Sequence, residues 1–125
     1  MVDDERFSTD PRPAGVDDEG TWRVPGRRCP ACGYRSAHQR PRCPRCAGPL
    51  EATAFGPAGT VWSSTVVRVP VPGRTPPYVL AYVDLDEGPR VLAHVAGAGA
   101  TAPPIGSTVH VSGVGAHGDL EVEPA

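Results

Sequence analysis

All four cysteines of the chain lie within 18 residues, as Cys29, Cys32, Cys43 and Cys46, and this cluster constrains the fold more than any other feature. The pattern is C-x2-C-x10-C-x2-C. Two residues between the members of each pair let both thiolates of one turn face a single ion. Two such turns complete a tetrahedron of sulfur around zinc at about 2.3 Å per bond. Residues 21–50 are therefore predicted to form a rubredoxin-like zinc ribbon with four cysteine ligands.

The residues around each pair support two similar turns. Pro30 and Pro44 fix the backbone φ angle at the same place in both pairs. Gly33 follows the first pair, where a positive φ commonly turns backbone N–H groups toward the sulfurs. The second pair is followed by Ala47 and only then by Gly48, so the second turn is expected to be less ideal.

A site closed by four sulfurs has no open coordination position, which indicates one structural zinc ion and no catalytic metal. Such an ion supplies about 10–16 kcal/mol of apparent binding energy in small modules, and this segment has few apolar side chains. Redox switching of the thiols and an iron or iron–sulfur centre remain alternatives. Disulfides are disfavoured because thiols stay reduced in the cytosol and nothing here suggests export.

Charge is distributed unevenly over the 125 residues, whose net charge is −2. Residues 1–20 carry −5, residues 21–48 carry +7 from arginine alone, and residues 49–125 carry −4. The acidic segment 1–20 has no hydrophobic periodicity and is predicted to be a disordered or loosely docked tail. The basic block could contact a partner or an anionic ligand, although a solvated face explains it as well.

The second half, residues 51–125, is predicted to be a small β barrel. Glycine and proline number 15 and 16, which excludes a large helical core. Five segments rich in β-branched residues are separated by turn-forming sequences, and a five-stranded barrel of the OB type fits this length. The strand pattern alone fits an open meander of the same five strands nearly as well as a closed barrel. The five predicted strands are 60–69, 78–85, 90–95, 108–112 and 119–122.

No stretch approaches the roughly 20 apolar residues that a membrane-spanning helix needs. The chain opens with Met1, Val2, Asp3, Asp4 and Glu5, which is unlike a secretory signal. We therefore expect a cytoplasmic protein that makes no membrane contact.

Several sequence blocks together resemble one family. The four-cysteine ribbon is followed by Gly59-Thr60-Val61-Trp62-Ser63, Pro76-Pro77-Tyr78-Val79 and Asp86-Glu87-Gly88-Pro89-Arg90. This combination, over roughly residues 22–113, resembles the bacterial and archaeal zinc-ribbon/OB-fold family of thiolase-associated accessory proteins, long filed as a domain of unknown function. A four-cysteine ribbon alone occurs in many families, whereas its combination with the later blocks is specific to this one.

The resemblance implies a mainly β protein that is a non-catalytic subunit in a hetero-oligomer with a thiolase-like or ketosynthase-fold enzyme. It implies that the four cysteines hold one structural zinc ion and that no catalytic residue is expected. The resemblance leaves open whether the chain contacts the partner's acyl-CoA substrate directly. Rigid aromatic and arginine side chains are the natural anchors for either contact. Trp62 and Tyr82 are also candidate interface anchors, but packing in the core or barrel is the favoured expectation for both. The candidate partner or CoA contacts are Trp22, Arg27, Arg28, Arg40, Arg42, Arg74 and Tyr78.

Two other functions have weaker support in the sequence. Both OB folds and zinc ribbons bind single-stranded nucleic acid, but the net negative charge and the 6% aromatic content oppose that function. An independent enzyme is disfavoured because the serines and the histidines His94, His110 and His117 form no recognised catalytic spacing.

Overall fold

The computed structural model describes residues 10–125, which form nine β-strands and no helix, so this part of the chain contains no helix that could cross a membrane. The strands are β1 (Val16–Asp18), β2 (Thr21–Arg28), β3 (Arg35–Ser36), β4 (Glu51–Phe55), β5 (Ala58–Val67), β6 (Tyr78–Leu85), β7 (Arg90–Val95), β8 (Thr108–Val114) and β9 (Leu120–Pro124).

Strands β5 to β9 close into a barrel in the order β5-β6-β7-β9-β8. All of its pairs are antiparallel except β7 with β9, which run parallel. A Greek-key path with one parallel closure is the arrangement expected of an OB-type barrel. The predicted five-stranded barrel is confirmed, and the open meander is excluded because β8 pairs back onto β5.

Buried apolar residues alternate with more exposed residues along the strands, and the buried ones form the barrel core. Apolar residues at every second position of β6 and β7 point inward, and those of β5, β8 and β9 meet them. The fully buried members include Val61, Val83, Val109, Leu120 and Val122. A side chain next to an inward valine therefore points to the outer face.

The ribbon is organised around β2, which pairs antiparallel with β1, β3 and β4. Strand β4 lies within the predicted barrel range 51–125, and it pairs with β2 of the ribbon over its whole length. Both Phe55 of β4 and Val24 of β2 are buried in the barrel's core, so the ribbon and the barrel share one apolar interior.

Within the segment 1–20, predicted to be a disordered or loosely docked tail, residues 16–18 form strand β1, and residues 1–9 lie outside the described range. Strand β1 forms a hairpin with β2 through a tight turn at Glu19 and Gly20, both with positive φ. Two consecutive residues of positive φ are typical of a hairpin whose turn matches strand twist. The side chain of Asp17 accepts a hydrogen bond from the Gly20 N–H at 2.9 Å and closes the turn.

Candidate metal centre and surface sites

The first cysteine pair lies on a tight turn directly after β2. The N–H of Cys29 donates to the carbonyl of Tyr34 at 2.8 Å, and the N–H of Gly33 donates back to the carbonyl of Cys29 at 2.9 Å. Gly33 has φ of 81°, as its position predicts, and a Cβ there would meet open space.

The second pair repeats this geometry with a different residue at the critical position. The N–H of Cys43 donates to the carbonyl of Gly48 at 2.9 Å, and the N–H of Ala47 donates to the carbonyl of Cys43 at 2.8 Å. Ala47 has φ of 62° and therefore occupies the left-handed region in which Gly33 lies in the first turn. An alanine in that region is strained because its Cβ approaches the neighbouring carbonyl.

The two turns bring the four sulfur atoms together. Cys29 Sγ lies 3.5 Å from Cys46 Sγ, Cys32 Sγ lies 3.6 Å from Cys43 Sγ, and all four lie within 4.8 Å of one another. A tetrahedron with metal–sulfur bonds of about 2.3 Å has edges of about 3.8 Å, whereas a disulfide is about 2.05 Å long. The cysteines are free thiols in an arrangement that could hold one metal ion.

Backbone N–H groups also point at the sulfurs. The N–H of Cys32 lies 3.5 Å from Cys29 Sγ, and the N–H of Arg45 lies 3.4 Å from Cys43 Sγ. The hydrogen bond from the Cys32 amide is the main cause that lowers the pKa of Cys29 to about 6. Because a metal binds the thiolate, this contact prepares Cys29 as a ligand. Cys29 and Cys43 are buried, while their partners in each pair are exposed.

Three predicted contact residues lie on β2. Trp22 is half-buried and packs against the barrel core, so it joins the two lobes of the protein. Arg27 donates from Nε to Gln39 Oε1 at 2.9 Å. Arg28 forms an ion pair with Glu51 across the β2–β4 pair at 2.7 Å.

The remaining predicted contacts lie in two places. Arg40 and Arg42 are exposed on the ribbon, where Arg42 Nη1 donates to the Ala47 carbonyl at 3.5 Å. Arg74 and Tyr78 lie on the barrel, with the Arg74 guanidinium 5.9 Å from the ring centroid of Tyr78. The candidate contacts therefore lie on both lobes and do not form one compact site.

Sequence reasoning missed the role of Asp119, which directly precedes β9. Its carboxylate pairs with Arg74 of the loop between β5 and β6 and with Arg12 of the N-terminal segment, the latter at 3.4 Å. It also lies 3.7 Å from His94 Nε2, whose ring stacks on Tyr78. No sequence pattern joins residues so far apart along the chain.

Trp62 and Tyr82 do not pack in the barrel interior, so that expectation is wrong. Trp62 is 50% exposed and Tyr82 is 45% exposed on the outer face of β5 and β6. Their rings meet edge to face with centroids 6.1 Å apart. The sequence carried a signal for this, because Val61 and Val83 beside them occupy inward positions.

A groove of about 620 Å³ lies where the β7–β8 connection meets the end of β9. It is lined mainly by small apolar residues, among them Ala98, Ala102 and Pro103. None of the predicted contact residues lines it.

Comparisons with known proteins agree with this architecture. Residues 52–114 match the family described as ChsH2, C-terminal OB-fold domain. The 3-oxo-4,17-pregnadiene-20-carboxyl-CoA hydratase alpha subunit of Mycobacterium tuberculosis is 40% identical over 65 residues, which are 51% of this chain and 21% of that protein. A DUF35 domain-containing scaffold protein of Methanothermobacter thermautotrophicus is 34% identical over 86 residues, which are 60% of this chain and 65% of that protein. The chain thus spans less than two thirds of each relative.

Two solved structures have a similar fold. One is described as the Ltp2-ChsH2(DUF35) aldolase; its similar chain has 28% identity and a TM-score of 0.68 and covers 82% of this chain and 84% of its own. The other is a DUF35-family protein of unknown function from Sulfolobus solfataricus, with 18% identity, a TM-score of 0.58 and coverage of 82% and 76%. The second supports the fold alone.

Proposed function

Because the chain belongs to the family of ChsH2 C-terminal OB-fold domains, we propose that it is a non-catalytic accessory subunit of a thiolase-like or ketosynthase-fold acyltransferase. Its partner would act on acyl-CoA or related thioesters. The observation that carries the proposal is the family match over residues 52–114, together with a cluster of four cysteines on the adjoining ribbon. Two relatives support it, since one is named a scaffold protein and the other a subunit of a CoA-ester hydratase.

In this proposal the ion in the ribbon is zinc and its role is structural. Cys29, Cys32, Cys43 and Cys46 would hold it, and four thiolates fill the tetrahedral coordination that zinc prefers. The bound ion links the two turns, which few apolar side chains would otherwise hold together. Because β2 leads from the ribbon into the shared core through Val24, the ion would also support the barrel.

The subunit would act by binding and shape. A rigid barrel docked beside the partner's active site would order the entrance to that site. Arginine side chains would attract the anionic CoA group. We expect no catalytic role for His94, because its ring stacks on Tyr78 and its Nε2 lies beside the Asp119 carboxylate. We place the complex in the cytoplasm, where thiols remain reduced.

Co-expression of the zinc-loaded chain with the thiolase-fold enzyme encoded nearest to it in its genome tests this function. We expect a stable complex and a changed turnover of the enzyme's acyl-CoA substrate. The matched control is Cys43→Ser, which removes one ligand and should abolish both effects. A chain that is well folded and zinc-loaded, yet neither co-purifies nor alters turnover, would contradict the proposal.

One observation favours a second function, the binding of single-stranded nucleic acid. Trp62 and Tyr82 are exposed on an OB barrel, with Arg90 beside them, and exposed aromatics with basic side chains bind single strands in this fold. The net charge of −2 opposes it. Salt-dependent binding of a labelled oligonucleotide would support this alternative.

A further inference from the structure

We propose that the outer face of β5, β6 and β7 is the surface that docks the partner enzyme, and that the partner presents an apolar side chain with a carboxylate beside it. The surface, here called the aromatic patch, consists of Trp62, Tyr82, Leu92 and Arg90. This proposal rests on the proposed function and assigns it a location on the chain.

The patch is contiguous across three paired strands. Tyr82 is the cross-strand partner of Leu92 on one side and of Ser63 on the other, and Trp62 precedes Ser63 at a β-bulge. Trp62, Tyr82 and Leu92 are 50%, 45% and 40% exposed, although side chains of this size normally lose water contact on folding. Grouped exposed apolar residues mark interaction surfaces, and tryptophan, tyrosine and arginine are enriched among residues that dominate binding energy.

Two depressions extend the patch. A groove of about 200 Å³ lies between Thr65, Leu80 and Tyr82 on the barrel. A second, of about 330 Å³, runs from Leu92 and Pro89 of the barrel to Tyr34 and Arg35 of the ribbon. A partner segment placed along this line would contact both lobes at once, which gives the ribbon a direct part in docking.

The charges on this surface define the partner's chemistry. Arg90 lies with its guanidinium carbon 3.8 Å from the ring centroid of Trp62 and is paired with Asp84, so that carboxylate is already satisfied. Arg35 is exposed and forms no ion pair with a carboxylate of residues 10–125. Arg35 and Arg90 line the depression that reaches Leu92 and Tyr82, and no carboxylate among residues 10–125 lines it. Asp86 and Glu87 line a separate depression that also includes Arg35. The first depression therefore offers an unpaired positive charge beside an apolar centre, and its complement is an apolar side chain flanked by an acid.

The same geometry disfavours two other occupants. A nucleic-acid base would find one face of Trp62 taken by Arg90, and because the Tyr82 ring stands at 77° to the Trp62 ring, the two rings offer no parallel pair of faces for successive bases. A second copy of this chain would bring like-charged arginines of both patches together, while Asp84 is already engaged by Arg90.

The test uses the full zinc-loaded chain and the thiolase-fold enzyme that the wild-type chain captures on co-expression. Dissociation constants are measured by calorimetry for Trp62→Ala, for Arg35→Glu and for the control Ile105→Ala. Ile105 is 75% exposed in the loop before β8, so the control removes an apolar side chain outside the patch. We expect Trp62→Ala to weaken binding by about thirtyfold, as for a dominant interface residue, and Ile105→Ala by less than about threefold.

Trp62→Ala also removes the contact between Trp62 and Arg90 and could therefore destabilise the fold. Arg35→Glu is the second variant because it tests binding without that effect. Arg35 is exposed and forms no ion pair within residues 10–125, so its reversal should leave folding unchanged while weakening binding by about tenfold or more. If the wild type captures the enzyme but both variants bind as tightly as it does, this proposal fails and the proposed function stands.

If the wild type captures no thiolase-fold enzyme, the proposed function fails and the docking proposal with it. A third experiment measures the binding of labelled single-stranded DNA to the wild type and to Trp62→Ala at several salt concentrations. Salt-dependent binding that Trp62→Ala abolishes would overturn the docking proposal and assign the patch to nucleic acid.

Discussion

Replacement of Ala47 by glycine should stabilise the protein, which is unusual for a glycine substitution. Ala47 has φ of 62° in the second cysteine turn, a conformation that disfavours any residue with a Cβ by about 1–2 kcal/mol. Glycine removes this strain but adds about 0.4–1 kcal/mol of unfolded-state entropy. The Ala47 side chain is exposed, so no packing is lost. The expected gain is therefore about 0.5–1 kcal/mol.

The matched variant is Gly33→Ala at the equivalent position of the first turn. Gly33 has φ of 81°, and an added Cβ would find no atom within 4 Å, so the expected loss of about 1 kcal/mol is conformational alone. The double variant Gly33→Ala with Ala47→Gly should have nearly the stability of the wild type, because the loss at one site and the gain at the other add independently.

Thermal unfolding of the zinc-loaded chains measures both effects, and 1 kcal/mol corresponds to roughly 4 °C for a domain of this size. Competition with a chelator should show the zinc affinity rising about two- to fivefold for Ala47→Gly, because the strained turn forms when the ion binds. If Ala47→Gly lowers the melting temperature while Gly33→Ala leaves it unchanged, the two turns do not carry the strain assigned to them.

Three further predictions address the ion, the pH response and close packing. Removal of the ion by a chelator should unfold the ribbon and lower barrel stability, and Cys43→Ser should do the same without chelator, as far-ultraviolet and near-ultraviolet circular dichroism will show. Burial lowers the pKa of His94, helped by the charge of Arg74. The unfolded chain therefore binds more protons, so stability should decline as pH falls through about 6.5, and His94→Gln should flatten that slope in denaturant titrations. Gly26→Ala would press a Cβ against the Ser36 carbonyl oxygen, well inside van der Waals contact, and should lower the unfolding free energy by about 3 kcal/mol in the same titrations.

Much of the barrel could be predicted because its signals are local. Apolar residues at every second position mark β6 and β7, and both predicted ranges agree with the structure to the residue. The closure of β8 onto β5 and the parallel pairing of β7 with β9 are long-range features, and the family resemblance indicated them better than periodicity did.

The cysteine cluster was predictable because the chemistry of four thiolates restricts both spacing and geometry. The β1–β2 hairpin was missed because Glu19 is a rare choice at positive φ, so the turn has only Gly20 as a signal. The exposure of Trp62 was missed because large aromatic residues usually lie inside, although alternation with Val61 already placed it outside. The zinc identity, the partner, the cytoplasmic location and the roles of the arginine contacts stay predictions.

The short passage from β4 to β5 has a consequence for the protein in the cell. Only Gly56 and Pro57 separate the two strands, and Phe55 just before them is held inside the barrel. The ribbon consequently has no long flexible linker to the barrel within residues 51–58. If the four cysteines hold zinc, as proposed, loss of the ion would disturb both lobes, and zinc starvation would expose the whole chain, and not one lobe of it, to cellular proteases.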